Sequence, residues 1–229
     1  GGMLELSADS VSVVSPTTGK TWPITDGIPR FVASEHLESF GLQWNRYEVA
    51  HDDEDRATFE AKTGLFLGEL RGLRVLDAGC GAGNLFLILR KIVPLATIIA
   101  CDISRKMLFE SRQRFSNNVP LWVGYCEELP LKDASVDLIL NYCIFPHIKN
   151  SYKALSEYRR VLKSGGHLLI IHPQGRLRIN SKHRQIGFPI SDDLLPPSAE
   201  IVERLESMSF RIREVVDRED LYLIEAEVA

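Results

Sequence analysis

A glycine-rich stretch, VLDAGCGAGN, follows an apolar run and is suited to bring backbone close to a ligand. Gly79, Gly81 and Gly83 are spaced two apart, and Asp77 is the one acid in the run before them. Glycines allow close backbone approach, and a helix N-terminus favours a negatively charged ligand group. Asp102, which ends the next apolar run, could accept hydrogen bonds from two ribose hydroxyls. Dinucleotide enzymes use the same arrangement, so this geometry alone does not identify the ligand.

Two histidines follow later apolar runs and could take part in proton transfer. His147 comes after VDLILNYCIF, and His172 ends HLLIIH. Ligands bind at the carboxyl ends of parallel strands, where both residues are expected. Each imidazole is therefore a candidate general base or acceptor contact, and a structural or surface role is the alternative.

A cluster of basic residues comes directly after His172. Within nine residues the sequence places Arg176, Arg178, Lys182, His183 and Arg184. Such a cluster could bind the phosphate or carboxylate of an anionic substrate, with Arg176 and Arg178 as the leading candidates. A solvated loop is the alternative interpretation.

Strand-like and helix-like segments alternate from Leu73 onward and would position these residues. The strand-like segments are LRVLDAGC, ATIIACDI, VPLWVGYC, VDLILNYCIF and HLLIIHP, and the helix-like ones are GNLFLILRKIV, SRKMLFESRQRF and SYKALSEYRRVLK. A further helix, SAEIVERLESMS, precedes two strands joined by the short link REDL, which favours an antiparallel hairpin. This alternation predicts an α/β fold with a doubly wound, mostly parallel, seven-stranded Rossmann-like sheet, a C-terminal hairpin and a small N-terminal extension.

The chain divides into three predicted parts. Residues 3–33 are rich in strand and turn signals, and residues 34–70 have helical spacing of apolar residues. Residues 71–229 form the main domain, with an irregular insert at 173–197 where the alternation stops.

Composition narrows the classes of function. The chain has 229 residues, 45% of them apolar and 25% charged, and a net charge of −4. This charge gives no general attraction to nucleic acid or to anionic membranes. The sequence has no apolar run near the roughly 18–20 residues that a membrane span needs. The four cysteines form no C-x-x-C pair, which favours reduced thiols and a cytoplasmic protein.

Several motifs in fixed order resemble a known family. The segments VLDAGCGAGN, CDIS with ML, LPLKDASVDLIL and RVLKSGGHLLI together resemble the class I S-adenosylmethionine (SAM)-dependent methyltransferases, above all the small-molecule branch that includes the ubiquinone/menaquinone methyltransferases. The resemblance covers about residues 70–172. A nicotinamide dehydrogenase would more typically have G-x-G-x-x-G, whereas Asn84 holds the third glycine's place here.

The resemblance implies SAM as cofactor and assigns roles to individual residues. Asp77 with Gly79, Cys80 and Gly81 would hold the methionine part, Asp102 the ribose, and Ile103 with Met107 the adenine, while Asn141 would lie near the methyl donor. Structural roles are the alternatives for Asp77, Ile103 and Met107. The family often has Asp-Ala after the third strand, but Tyr125-Cys126 stands here, so only the Cys126 amide remains for the adenine edge. Glu127 is either a further adenine contact or a solvated acid.

The N-terminal part carries two further resemblances. SPTTGKTWPITDGIPRF resembles the end of small zinc-ribbon domains, but Ser15 and Thr18 replace the cysteines, so we expect a metal-free remnant. FGLQWNRYE resembles a segment that forms a lid over SAM in some bacterial methyltransferases. It makes Tyr47 a candidate cofactor contact and Trp44 a candidate substrate contact, with Arg46 beside them; an amphipathic helix packed through Trp44 is the alternative.

The sequence therefore predicts a SAM-dependent methyltransferase with a small-molecule acceptor. An RNA or protein methyltransferase and a non-catalytic SAM-binding subunit are the alternatives. The acidic net charge disfavours RNA, and NYCIFP stands where methyltransferases of nucleic-acid adenine or glutamine nitrogen have an N-P-P-Y-like motif. The sequence leaves the acceptor atom and the oligomeric state open.

Overall fold

The N-terminal part forms a small antiparallel sheet in the computed structural model, which describes residues 4–32, 72–92, 96–115 and 119–229. Its strands, in sheet order, are β1 (Glu5–Leu6), β2 (Ser12–Val14), β3 (Thr21–Thr25) and β4 (Ile28–Pro29). Residues 33–71 lie outside the description. The lid predicted from Trp44, Arg46 and Tyr47 falls in that range, so it stays a prediction.

The main sheet contains seven strands, as the alternation predicts. They are β5 (Arg74–Ala78), β6 (Thr97–Asp102), β7 (Leu121–Val123), β8 (Val136–Tyr142), β9 (Leu162–His172), β10 (Phe210–Asp217) and β11 (Tyr222–Val228). Their order is β10-β11-β9-β8-β5-β6-β7, and β11 runs antiparallel between β9 and β10. The predicted fold and its C-terminal hairpin are therefore confirmed.

The order of the strands determines where a ligand site can form. β5 pairs in parallel with β6 on one side and with β8 on the other. From β5 the chain adds β6 and β7 on one side and then β8 and β9 on the other, so the order in which strands are added reverses between β5 and β8. Ligands bind outside the carboxyl ends of the strands at such a switch point. Asp77, Asp102, Asn141 and His172 all lie at or one residue before the carboxyl ends of parallel strands.

Helices pack on both faces of this sheet. They are α1 (Asn84–Ile92), α2 (Arg105–Phe115), α3 (Ser151–Val161), α4 (Arg176–Ile186) and α5 (Ser198–Ser207). One buried cluster joins Phe86 and Leu108 to Val75 of β5, and the other joins Tyr158 and Ile201 to the sheet's opposite face. Alternate residues of the strands face these two cores, so the sheet is doubly wound. No helix among the described residues is long and apolar enough to cross a membrane.

The small N-terminal sheet is attached to the outer edge of the main sheet. Phe31 donates its backbone N–H to the carbonyl of Val123 in β7 at 2.9 Å, and Ile28 is 2% exposed within the main-domain core. Asp26 forms an ion pair of 2.9 Å with Arg105 at the start of α2. The extension thus covers a strand edge that would otherwise present unpaired backbone groups.

The zinc-ribbon resemblance of this extension stays a prediction. Among the described residues, no group of three or more His, Cys, Asp or Glu side chains is placed to hold a metal ion. The Ser15 hydroxyl accepts a hydrogen bond from the backbone N–H of Thr18 at 3.3 Å, so the two residues that replace the cysteines form part of a turn.

The insert differs from its prediction because part of it is regular. The sequence predicts an irregular insert at residues 173–197, but α4 occupies eleven of these residues. The buried residues of α4 are Ile179, Asn180 and His183. Two of these three are polar, so this segment lacks the row of apolar residues that normally identifies a buried helix face in a sequence. Polar contacts replace that row, since the Asn180 side chain is hydrogen-bonded to both the N–H and the carbonyl of Leu195.

Candidate functional site

The glycine loop is fixed against the end of β6. The backbone N–H groups of Gly79 and Cys80 both donate to the carbonyl of Cys101, at 2.8 and 3.0 Å. A β-carbon on Gly79 would meet the Ile144 side chain at 1.9 Å, so packing requires glycine there. At Gly81, by contrast, φ is +52° and a β-carbon would meet no atom of the described residues within 4 Å. Within the described part of the chain, Gly81 therefore faces open space through which a ligand can reach the loop.

Asp102 connects this loop to the start of α2. One carboxylate oxygen accepts from the N–H of Gly81 at 2.9 Å, and the other accepts from the N–H of Ser104 at 2.7 Å. The Ser104 hydroxyl accepts from the N–H of Met107 at 3.3 Å and thereby caps α2. Each carboxylate oxygen has two lone pairs, so Asp102 keeps capacity to accept further hydrogen bonds from ligand hydroxyls.

Asp77 is a second buried carboxyl group in the same place. Its side chain is 1% exposed, and its Oδ2 atom has no hydrogen-bond partner among the described residues. Burial raises the pKa of Asp77 to about 8, with repulsion from Asp102 adding to the effect. Burial also raises the pKa of Asp102, although the bonds from Ser104 and Gly81 oppose it. A cationic ligand group beside Asp77 would supply both the missing partner and the missing counter-charge.

The Asn141 side chain is hydrogen-bonded on the face of the sheet that packs against Tyr158 of α3, opposite to the face that packs against α1 and α2. Its amide nitrogen donates to the hydroxyl of Tyr158 at 2.9 Å, and both side chains are fully buried. The oxygen of the Asn141 amide has no hydrogen-bond partner among the described residues. Cys126 is also buried, in the core cluster that contains Tyr158. A buried acceptor without a partner is costly, so this oxygen is suited to receive a ligand donor.

The remaining residues that the sequence predicts to bind the cofactor have different surroundings. Ile103 and Met107 are half-buried near the end of β6. Glu127 instead accepts a hydrogen bond from the N–H of Asn150 at 3.2 Å, at the start of α3. Burial raises the pKa of the Cys80 thiol well above its usual value, which disfavours the nucleophilic thiolate form at neutral pH. The cofactor roles of Cys80, Ile103, Met107, Cys126 and Glu127 stay predictions.

Three histidines meet beyond the ends of β8 and β9. His147 lies in a 3₁₀ turn, Phe145–His147, and its Nδ1 atom is 2.8 Å from a carboxylate oxygen of Asp193. His183 of α4 has its Nδ1 atom 2.5 Å from the backbone carbonyl of Asp193. The rings of His147 and His183 are 5.0 Å apart. Asp193 therefore organises both imidazoles, one through its side chain and one through its backbone.

His172 is the third histidine of this group and is the most deeply buried. Burial lowers the pKa of His172 to about 3, and His147 and His183 contribute to the shift. Its Nε2 atom has no hydrogen-bond partner among the described residues. His172 is thus a neutral imidazole at physiological pH and a weak base.

The two arginines predicted to bind substrate have different environments. Arg176 begins α4, and its Nε atom lies 3.5 Å from a carboxylate oxygen of Asp217 at the end of β10. Arg178 is exposed on the same helix. Arg176 is therefore partly neutralised within the protein, whereas Arg178 presents its charge to solvent.

Sequence reasoning did not identify Asp193 as a member of this site. Asp193 stands in SDDLLPP, a polar stretch without a motif, forty-six residues from its partner His147. The sequence places His183 only in the basic cluster. No local pattern could show that two segments so far apart in sequence meet at one sheet edge.

Comparison with known proteins matches the central part of the chain to one family. A family model described as "Methyltransferase domain" matches residues 76–170. A malonyl-[acyl-carrier protein] O-methyltransferase of Methylococcus capsulatus is 39% identical over 97 residues, which cover 42% of this chain and 35% of that protein. The ubiquinone/menaquinone biosynthesis C-methyltransferase UbiE of Syntrophotalea carbinolica is 27% identical over 216 residues, 83% of this chain and 86% of that protein. The chain spans only 30–54% of the lengths of the first four curated relatives.

Solved structures show the same fold. A SAM-dependent methyltransferase from Aquifex aeolicus has a TM-score of 0.61 at 24% identity, covering 78% of this chain and 95% of that one. A chain from the complex between the Haloferax volcanii Trm112 methyltransferase activator and a methyltransferase has a TM-score of 0.65 at 18% identity, covering 86% of this chain and 99% of that one. At these identities the likeness establishes the architecture alone.

Proposed function

We propose that this chain, in which residues 76–170 match a methyltransferase domain, is a class I SAM-dependent methyltransferase that transfers the methyl group of SAM to a small-molecule acceptor. One observation carries the proposal. A glycine loop open at Gly81 lies beside two buried carboxyl groups, Asp77 and Asp102, at the switch point of the sheet. A cationic ligand with ribose hydroxyls would satisfy both carboxyl groups.

The residues present fit SAM. The partnerless Oδ2 atom of Asp77 suits the ammonium of the methionine part, and Asp102 has lone pairs for the ribose hydroxyls. When bound, SAM supplies an electrophilic methyl group on a sulfonium. The protein's task is then to align the acceptor with that methyl group and to exclude water.

We expect Asp102→Ala to weaken SAM binding by about 1.5–3 kcal/mol, the range for hydrogen bonds that involve a charged group. The variant loses the proposed ribose contact, and it also releases the N–H of Gly81 from its acceptor. Calorimetric titration with SAM measures the change. Asp192→Ala, which removes an exposed carboxylate from the insert, is the control and should bind SAM as the parent does. Equal affinity in the Asp102 variant and the parent would refute the ribose assignment.

We expect SAM affinity to rise with pH up to about pH 8. Burial raises the pKa of Asp77 to about 8 in the free protein, so below that pH the carboxyl group is protonated. The ligand's ammonium favours the ionised form, and binding therefore releases a proton, with a limiting change of about tenfold in affinity per pH unit.

The control for this pH dependence is Asp77→Asn. The α-amino group of the ligand itself titrates at a pKa of about 7.7–8.0, and the variant retains only that contribution. Titrations between pH 6 and 7.5 should give a steeper profile for the parent than for the variant. Parallel profiles would show that Asp77 does not change its protonation when SAM binds.

The acceptor in this proposal is a small molecule that carries a negative charge. The UbiE and malonyl-[acyl-carrier protein] O-methyltransferase relatives support a metabolic acceptor over a nucleic acid, as does the net charge of −4. Arg178, exposed on α4, and Arg176 beside it support an anionic group on the acceptor.

A transfer assay tests this function against its alternatives. The full chain is incubated with [methyl-³H]SAM and a cell extract that has been separated into metabolite, RNA and protein fractions. We expect label in the metabolite fraction, in compounds that an anion exchanger retains. Label in RNA or protein would favour a macromolecular substrate, and SAM binding without any transfer would indicate a non-catalytic subunit.

We propose that the N-terminal extension supports the cofactor side of the sheet within this chain. The Haloferax volcanii complex contains a separate activator protein beside its methyltransferase. Here, residues 4–32 already cover β7 and contact α2 through the Asp26–Arg105 pair. A cytoplasmic location, expected from four cysteines that are all free thiols, stays a prediction.

A further inference from the structure

We infer that the N-terminal extension is a part of the site around Asp102, and that docking of the extension and binding of a ligand at Asp102 favour each other. This inference rests on the proposed function for the identity of the ligand, and it specifies how the extension acts on the cofactor side of the sheet. Phe31 is the central positioning residue, which acts through its neighbours and not through a contact with the ligand.

A row of backbone pairs runs from Asp102 to the extension. Asp102 of β6 pairs with Val123, the last residue of β7. Val123 in turn pairs in parallel with Arg30, and its carbonyl accepts the N–H of Phe31 at 2.9 Å. Because β7 has only three residues and ends the main sheet, the extension lies directly against the pair that holds Asp102.

The Phe31 side chain fills the space beside the residue that follows β7. This residue, Gly124, donates its N–H to the backbone carbonyl of Asp102 at 3.1 Å. A β-carbon on Gly124 would lie 2.9 Å from the Trp122 ring and 4.0 Å from the β-carbon of Phe31. The Trp22 ring meets Phe31 edge-on from the extension, with ring centroids 5.2 Å apart. Displacement of Phe31 would therefore loosen Gly124 and the bond that holds the backbone of Asp102.

A second contact reaches the chain that follows Asp102. The Asp26 carboxylate is 2.9 Å from Arg105, the first residue of α2. The start of α2 is in turn bonded to Asp102, whose carboxylate accepts the N–H of Ser104 at 2.7 Å. Both partners of the ion pair are about half exposed, so it contributes little alone. It nevertheless places the extension against both neighbours of Asp102, the end of β7 and the start of α2.

Apolar contacts hold the extension in this position. Ile28 is 2% exposed and belongs to the core cluster on the face of α1 and α2. Phe31 packs against the cluster on the opposite face. Burial of apolar area is the dominant favourable contribution to such an attachment. The extension is therefore held at the outer edge of the sheet from both faces.

The coupling between docking and binding is reciprocal. If the docked extension favours the arrangement of Asp102 that binds SAM, bound SAM must favour the docked extension by the same factor. Such couplings usually amount to about 5–150-fold in affinity. The path here consists of a few backbone hydrogen bonds and one tightly packed glycine, so we expect a factor of about tenfold. Phe31→Ala should bind SAM more weakly than the parent by that factor.

The first test measures the bonds of Asp102 in the free protein. The amides of Gly81 and Ser104 both donate to its carboxylate, and hydrogen exchange reports how often these bonds open. Phe31→Ala should raise both exchange rates at least about fivefold. Phe31→Leu, which keeps most of the apolar volume, should restore the parent's rates. Leu6→Ala shortens an exposed side chain elsewhere in the extension and is the matched control.

An amide at the opposite edge of the sheet separates this effect from a general loss of stability. The N–H of Ser135 donates to the carbonyl of Val161 at 2.8 Å, just before β8 begins. Its exchange should keep the parent's rate in Phe31→Ala. Unchanged rates at Gly81 and Ser104, or an equal rise at Ser135, would overturn the inference, whether or not SAM ever binds.

The second test uses the parent protein, so it does not depend on the folding of a variant. Saturating SAM should slow exchange of the Phe31 amide, which is bonded to Val123, by about tenfold. The Ser7 amide, bonded to the Ser12 carbonyl within the extension, is the internal control and should keep its rate. SAM binding that leaves the Phe31 amide unchanged overturns the inference but not the proposed function. No SAM binding at all counts against the proposed function, and the exchange rates of the free protein then decide the inference.

Discussion

Gly81→Val should abolish measurable SAM binding while leaving the domain folded. Gly81 has a φ of +52°, and a β-carbon there would meet no atom of residues 4–32, 72–92, 96–115 or 119–229 within 4 Å, so the valine side chain would project into the space above the loop where the ligand is proposed to bind. The left-handed backbone adds roughly 1–2 kcal/mol of strain. If that space is the cofactor site, affinity should fall at least about 100-fold, or about 2.7 kcal/mol. Equilibrium dialysis with radiolabelled SAM measures the loss.

Gly165→Val is the matched control for this substitution. Gly165 has a φ of +73°, and a β-carbon there would likewise meet none of the described residues within 4 Å, but Gly165 lies near the amino end of β9, at the opposite edge of the sheet. Both variants carry the same added side chain and similar backbone strain, and thermal unfolding shows whether their stabilities match. SAM affinity retained by Gly81→Val, or lost equally in both variants, would contradict the placement of the cofactor at the loop.

His147→Gln should lower the rate of methyl transfer by about 10²–10⁴-fold, the usual contribution of a general base. Glutamine keeps hydrogen-bonding capacity beside Asp193 but cannot take up a proton. SAM affinity should change by less than about threefold, since the proposed cofactor contacts lie at Asp77, Asp102 and the glycine loop. Single-turnover transfer to the labelled metabolite, with SAM saturating, measures the chemical step.

The control for His147 is another histidine paired with a carboxylate. The Nδ1 atom of His167 lies 2.9 Å from a carboxylate oxygen of Glu225, and His167 is in the middle of β9, five residues before the end of the strand at which the candidate site lies. His167→Gln should transfer the methyl group at the parent's rate. Should His147→Gln also retain the parent's rate, His147 is not the base and the acceptor needs no proton removed by it.

The fold, and the placement of the glycine loop, Asp77 and Asp102 at one edge of the sheet, could be predicted from the sequence because their signals are local. Apolar runs ending in Asp77 and Asp102 mark the carboxyl ends of two strands, and parallel strands bring those ends to one edge. The glycine spacing fixes the loop between β5 and α1. None of these features depends on a contact between distant segments.

The arrangement of the proposed acceptor side of the site could not be predicted in the same way. α4 lacks an apolar stripe because Asn180 and His183 supply buried polar contacts, so its helical character has no periodic signal. The pairing of His147 with Asp193 depends on how the insert folds back over the sheet. The deep burial that makes His172 a weak base likewise arises only when its strand is enclosed.

A direct calorimetric titration of the full chain with SAM near pH 8 tests the central claim. We predict saturable binding of one SAM per chain, because Asp77 can then be ionised and Asp102 and the loop are already in place. The absence of saturable binding, or binding that Gly81→Val reproduces at the parent's affinity, would contradict a SAM site at the carboxyl edge of this sheet.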